Sequence, residues 1–206
     1  MKRKTFSIAL ICALISCIML SMVGFKDSCD EMYDNIIRIR IIANSDSAED
    51  QALKIKIRDA VLETSNELYD SVESYEDAVK VTEENTDILL QTAISTIKEN
   101  GYDYKVSLEL REEFFDTRVY DDFTLPAGNY KTAVFTVGEG KGENWWCIAY
   151  PPLCYTESMF GELSESGIRE LSKVLSDESL SAIMKGKKVS FRFKIVDEIQ
   201  KLICKK

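Results

Sequence analysis

Two short stretches of the sequence concentrate the side chains best suited to engage another molecule. The first is Asn44, Ser45, Asp46 and Ser47, four small polar residues between an alternating apolar run and the start of a helical pattern. Backbone N–H groups at such a junction bind an anion or a partner's carboxylate. The same four residues also suit a plain turn that caps the helix, and physics alone favours that simpler role. The second stretch holds Trp145 and Trp146, followed by Pro151 and Pro152. In a strand the two indoles point to opposite faces. Either one is core and the other an exposed contact anchor, or both are covered by layers of the domain. These eight residues are the candidates for partner binding.

Cys147 and Cys154 lie seven apart around the double proline, and a turn there brings them within bridging distance. We expect a disulfide between them; the alternative is two separate buried thiols. Between the two candidate stretches in sequence, Gly138-Glu139-Gly140-Lys141-Gly142 superficially suggests a phosphate cradle. Lys141 is followed by Gly142 and not by Ser or Thr, and the segment opens no helix, so a hairpin loop is the expected reading.

The chain has no histidine at all. That removes Ser-His-Asp and Cys-His catalysis and every zinc site that needs imidazole. Cysteine spacing shows no C-x₂-C pair for a Cys₄ metal site. Carboxylate pairs remain, but 35 acids in 206 residues produce such pairs by chance. No catalytic, metal-binding or cofactor-binding residue is assigned, and no cofactor is expected.

Charge narrows the partner. The formal net charge is −9. Four of the 26 bases, Lys2, Arg3, Lys4 and Lys26, flank the N-terminal apolar run; the other 22 face 35 acids, a net near −13. Such a surface repels phosphate backbones, so nucleic acid is not an expected partner.

Residues 1–25 read as a signal peptide or signal anchor. Lys2-Arg3-Lys4 precedes a charge-free run, residues 6–23, the pattern of an export signal. Three outcomes stay open. Cleavage falls near Ser21 to Gly24, or the run stays as an anchor, reaching roughly 27 Å as a helix. In the third, Leu14-Ile15-Ser16-Cys17 acts as a lipoprotein box. The chain is expected to be secreted, or held at a membrane through residues 6–23.

The remainder, 34–199, reads as one domain. Asp34 to Ala43 alternates as a half-buried strand, with Ile37, Ile39 and Ile41 inward and Arg38 and Arg40 outward. Ser47 with Asp50 resembles a capping box that opens a helix over Ala48 to Tyr69. Val72 to Val81 and Glu83 to Asn100 follow as helices, the second closed by Asn100-Gly101. Strands are expected over Tyr104 to Leu110, Thr117 to Tyr120, Thr132 to Val137 and Trp145 to Tyr150. Helical periodicity returns over Ser164 to Leu175 and Asp177 to Met184, and a last strand over Lys188 to Val196. The expected class is α+β: helices segregated against a mostly antiparallel sheet in a single domain.

Ile36 to Leu62 resembles the opening signature of the stage II sporulation protein R family. Three further blocks agree in order and spacing: Asn100-Gly101-Tyr102-Asp103-Tyr104, Leu125-Pro126-Ala127-Gly128, and Gly138 to Cys147 running into Tyr150-Pro151-Pro152-Leu153-Cys154. The chain departs from the family at Arg40, often His, and at Lys105, often Pro. The resemblance implies a protein exported from the forespore into the space between forespore and mother cell. There it activates a membrane-embedded aspartic protease of the mother cell, which processes the precursor of a sigma factor. Such a protein is a ligand and not itself catalytic. The contrasting reading is an extracytoplasmic hydrolase using a carboxylate pair on cell-wall glycan.

Overall fold

The computed structural model describes residues 2–119, 123–153 and 165–184. Its described elements are six helices and six strands: α1 (Lys2–Tyr33), β1 (Ile37–Ile42), α2 (Ala48–Tyr69), α3 (Tyr75–Glu84), α4 (Thr86–Glu99), β2 (Val106–Phe115), β3 (Arg118–Val119), β4 (Thr124–Leu125), β5 (Gly128–Val137), β6 (Asn144–Tyr150), α5 (Glu165–Val174) and α6 (Asp177–Ile183). The fold is α+β with a mostly antiparallel sheet. The expected strand over Lys188 to Val196 lies outside the described residues.

The main sheet has the order β2-β5-β1-β6. β2 runs antiparallel to β5 from Val106↔Val137 to Phe115↔Gly128, and β6 runs antiparallel to β1. β1 and β5 are parallel, with Ile37 opposite Lys131 and Ile42 opposite Thr136. The first strand of the domain is therefore central.

One face of the sheet presents Ile37, Ile39, Ile41, Ala133, Phe135, Val137, Cys147 and Ala149. They pack with Leu53, Ile57 and Val61 of α2 and Leu89, Ala93 and Ile97 of α4. Bringing these side chains out of water is the main favourable contribution to folding. The other face is covered too. Met32 and Ile36 meet Phe115, Tyr130 and Ile148 there, together with Leu171, Leu175 and Ile183.

That second cover changes the expectation for β1. Arg38, expected to face solvent, is fully buried, its guanidinium carbon 3.8 Å from the centre of the Phe115 ring and 5.3 Å from that of Tyr130. Aromatic faces suit a weakly hydrated guanidinium. Arg40 stays half-exposed and bonds Glu113 at 2.9 Å.

α1 also differs from expectation. It does not stop after the apolar run but continues to Tyr33, burying Ser28, Cys29 and Met32. The core thus takes in residues ahead of Asp34. Glu31 on this last stretch accepts hydrogen bonds from the Ser176 N–H at 2.8 Å, from the Ser176 hydroxyl at 2.7 Å and from the Ser179 hydroxyl, at the N-terminus of α6. Farther up α1, Phe6, Ile8, Leu10, Ile11, Leu14 and Ile15 are each more than half exposed. Among the described residues no helix is long and apolar enough to cross a membrane.

α2 has the expected limits. α3 opens at Ser74 paired with Asp77, as its sequence predicts, the Ser74 hydroxyl accepting from the Asp77 N–H at 3.1 Å, while α3 and α4 divide at Asn85, later than the expected break. α4 closes as its sequence predicts: Tyr102 N–H bonds Ile97 O and Gly101 N–H bonds Lys98 O, a Schellman pair.

Candidate functional site

The candidate residues fall at the two ends of β6. At the Asn144 end, the turn 44–47 and the glycine loop 138–143 bind each other. The loop and the turn are far apart in sequence but adjacent in space, because β1 ends beside the start of β6 and the end of β5.

Each polar side chain of the turn has an internal partner. Asn44 accepts from the Glu139 N–H at 2.9 Å through Oδ1 and donates through Nδ2 to Asp50 at 2.8 Å. Its backbone carbonyl accepts from the Lys141 N–H at 3.1 Å. Ser45 Oγ donates to Asp50 at 2.5 Å and accepts from the Ser47 N–H at 3.2 Å. Asp46 Oδ1 accepts from the Glu143 N–H at 2.6 Å. Ser47 Oγ accepts from the Asp50 N–H at 3.1 Å, which caps α2.

The capping box is only half-formed. Asp50 does not return to the Ser47 N–H; its carboxylate is buried and held by the turn instead. Burial pushes the Asp50 carboxyl up, but hydrogen bonds from Ser45, Asn44 and Tyr104 outweigh it and leave the group below its ordinary value. Lys54, also buried, donates to the Glu143 carbonyl at 2.9 Å and to Gln51, and burial lowers its pKa. Sequence reasoning missed Asp50, Lys54 and Tyr104. The signal was present for Asp50 alone, as the acid of the presumed box.

The glycines fit the same contact. Gly138 has φ +58, and a side chain there would lie 2.1 Å from Asn44 Oδ1. A Cβ on Gly142 would lie 2.2 Å from the Ser45 carbonyl oxygen, which is backbone and cannot rotate away. The loop is a close-packed hairpin connection.

Trp145 and Trp146 do point to opposite faces, and both are half-buried. Trp145 packs beside the α2–α4 core, with the Arg58 guanidinium carbon 5.5 Å from its ring centre. Trp146 packs beside the α1–α5–α6 core, with Arg118 at 3.8 Å. Neither is a bare anchor.

At the other end of β6, Pro151 is buried and Pro152 half-buried. They wall a cleft with Tyr69, Tyr150 and α5. Cys147 is disulfide-bonded. Cys154, its expected partner, lies outside the described residues. Cys29 is buried and takes part in no disulfide.

Among the described residues no group of three metal-ligating side chains comes together. A general acid for glycoside cleavage needs a carboxyl held above its ordinary value. Among the described residues the shifted carboxyls, Glu31, Asp50, Glu113 and Glu139, are all held below it.

Fold and site define a single α+β domain whose candidate residues lie at the two ends of one strand, the 44–47 turn braced by the glycine loop at one of them. The chain belongs to the stage II sporulation protein R family, whose model matches residues 33–159. It is 35% identical over 155 residues to stage II sporulation protein R of Bacillus subtilis (strain 168), which covers 72% of this chain and 69% of that protein. No solved structure matches the chain. Its role accordingly belongs to sporulation.

Proposed function

We propose that this protein is an exported signal that activates a membrane-embedded aspartic protease of the mother cell, which then processes a sigma-factor precursor. The observation that carries the reading is family membership over most of the domain. Two features support it. The exposed apolar side chains on the first half of α1 suit a segment that meets an export channel or a bilayer. The polar groups of the 44–47 turn are engaged in holding the domain together, as suits a rigid ligand more than a reaction site.

In this reading the protein lies outside the cytoplasm, with the domain following directly on the export segment along α1. Trp145 to Pro152, with the turn that braces its first end, presents the surface the protease meets. The test is co-expression of the full chain with the candidate protease and its sigma precursor. Precursor cleavage is expected only when all three are present and the chain is exported. Exported, folded protein that leaves the precursor intact would overturn the proposal. Release of glycan fragments by the purified chain would favour a hydrolase instead.

A further inference from the structure

The Tyr150 end of β6 carries a cleft of about 720 Å³. α2 ends there at Tyr69, the connection to α3 supplies Asp70 and Glu73, and α5 supplies Glu170 and Lys173. The floor is aromatic: the Tyr69 and Tyr150 rings meet edge-on at 5.7 Å, beside Pro151 and Pro152.

Two independent features single this place out. The rim holds three carboxylates, of which only Glu170 is paired, with Lys173 at 2.7 Å; Asp70 and Glu73 are exposed and bond no described residue. Below them sits Tyr150, 3% exposed, whose hydroxyl makes no hydrogen bond to a described residue. A hydroxyl that lines a cleft and bonds no described residue is a place where water or an incoming group can bond. Its neighbour Tyr69 shows the ordinary case, bonded to Thr82 at 2.7 Å. Burial, then the carboxylates of Asp77, Glu170 and Glu76, holds the Tyr150 hydroxyl protonated, so its oxygen remains a neutral acceptor.

The chemistry selects the occupant. Acidic rim and aromatic floor together favour a cation with N–H donors. A bare metal ion is disfavoured, because no three ligating groups converge among the described residues. The volume is that of a site for a side chain with its flanking backbone, larger than one ion needs.

We propose that this cleft receives a lysine or arginine side chain from a segment of the partner that the protein activates. The proposal rests on the signalling reading above, and two arms keep their failures apart. In the first, the full chain in mild detergent is titrated with acetyl-arginine amide and with acetyl-citrulline amide, its neutral isostere, and followed by NMR. The arginine probe is expected to shift Tyr150 and Lys173 resonances and the citrulline probe not to. Asp70→Asn with Glu73→Gln should weaken the arginine response by about fivefold, the scale of two exposed carboxylate contacts. Equal response to both probes, or tighter binding of glucosamine than of arginine, overturns the proposal.

In the second arm the same double variant, Tyr150→Phe and a control Glu63→Gln are co-expressed with the protease and precursor at matched exported amounts. The double variant is expected to lose most cleavage, and Tyr150→Phe part of it, while the control cleaves as wild type. If the double variant cleaves normally while wild-type protein binds the arginine probe, the cleft is not the docking site and the proposal falls. If wild-type protein triggers no cleavage at all, the signalling reading fails first, and the NMR arm still decides whether the cleft takes a cation.

Discussion

The two ends of β6 are built in opposite ways. At the Asn144 end, a turn and a loop far apart in sequence exchange hydrogen bonds until no polar side chain of the turn lacks a partner. At the Tyr150 end, the Tyr150 hydroxyl and two rim carboxylates line a cleft and bond no described residue. The contrast separates polar groups that maintain a shape from polar groups left available. Both ends carry blocks of the family pattern, so a motif match alone does not distinguish the two uses.

The contrast breaks most sharply at Gly142. Gly142→Val would force a side chain against the Ser45 carbonyl, so the turn and loop must separate. The expected loss is about 3 kcal/mol or more, by chemical unfolding. A change below about 1 kcal/mol would mean that the loop is free to move and the end is not locked.

Asp50→Ala comes next. It strands the Asn44 and Ser45 donors, and about 2 kcal/mol is expected for a buried, multiply bonded acceptor. The same group gives a pH signature. Its folded-state pKa is lowered, so its contribution is complete above the unfolded value of about 4 and is lost as pH falls through the folded one. Acid unfolding of the wild type should therefore be steeper than that of Asp50→Ala. Parallel profiles would show that the turn does not hold the carboxylate in solution.

A paired substitution sharpens the comparison within one cleft. Tyr69→Phe removes a bonded hydroxyl and should cost about 1 kcal/mol; Tyr150→Phe removes an unbonded one and should cost nothing measurable. Burial pushes Tyr69 up to about 12. The folded value lies above the unfolded one, so its stabilisation is whole below about pH 10 and drains away as pH rises towards 12. Tyr69→Phe should flatten that alkaline loss. Equal costs for the two variants would place an unseen partner on Tyr150.

Much of this organisation was legible in the sequence. Ser47 and the period of Leu53, Ile57 and Val61 give α2 its limits, and Asn100-Gly101 ends α4 as its chemistry requires. What escaped depends on distant residues. Alternation in β1 marks Arg38 as outward, yet Phe115, Tyr130 and the end of α1 bury it. A strand pattern reports one apolar face and is silent on whether the other is covered. The Tyr150 cleft draws on residues near 70, 150 and 170, and no local spacing reveals that they meet. The 44–47 turn was legible as a turn, whereas its bonding to the glycine loop was not.

The effect expected at Asp46 is also small, and it decides most about function. Asp46 is exposed, and its described bond is to the Glu143 N–H at the loop's end. Asp46→Ala should cost less than about 1 kcal/mol, because water can replace an exposed acceptor. If the Asn144 end only maintains shape, the variant is exported, folds and triggers precursor cleavage at close to the wild-type rate, whereas Asp70→Asn with Glu73→Gln does not. If Asp46→Ala is exported and folded yet silent, the turn itself touches the partner. In that case the carboxylate must exchange Glu143 for a partner donor on docking. Hydrogen exchange at Glu143 would then rise when the partner binds wild-type protein, because its amide loses its acceptor. Cleavage assays on the two variants, with amide exchange at one residue, thus separate a brace from a contact.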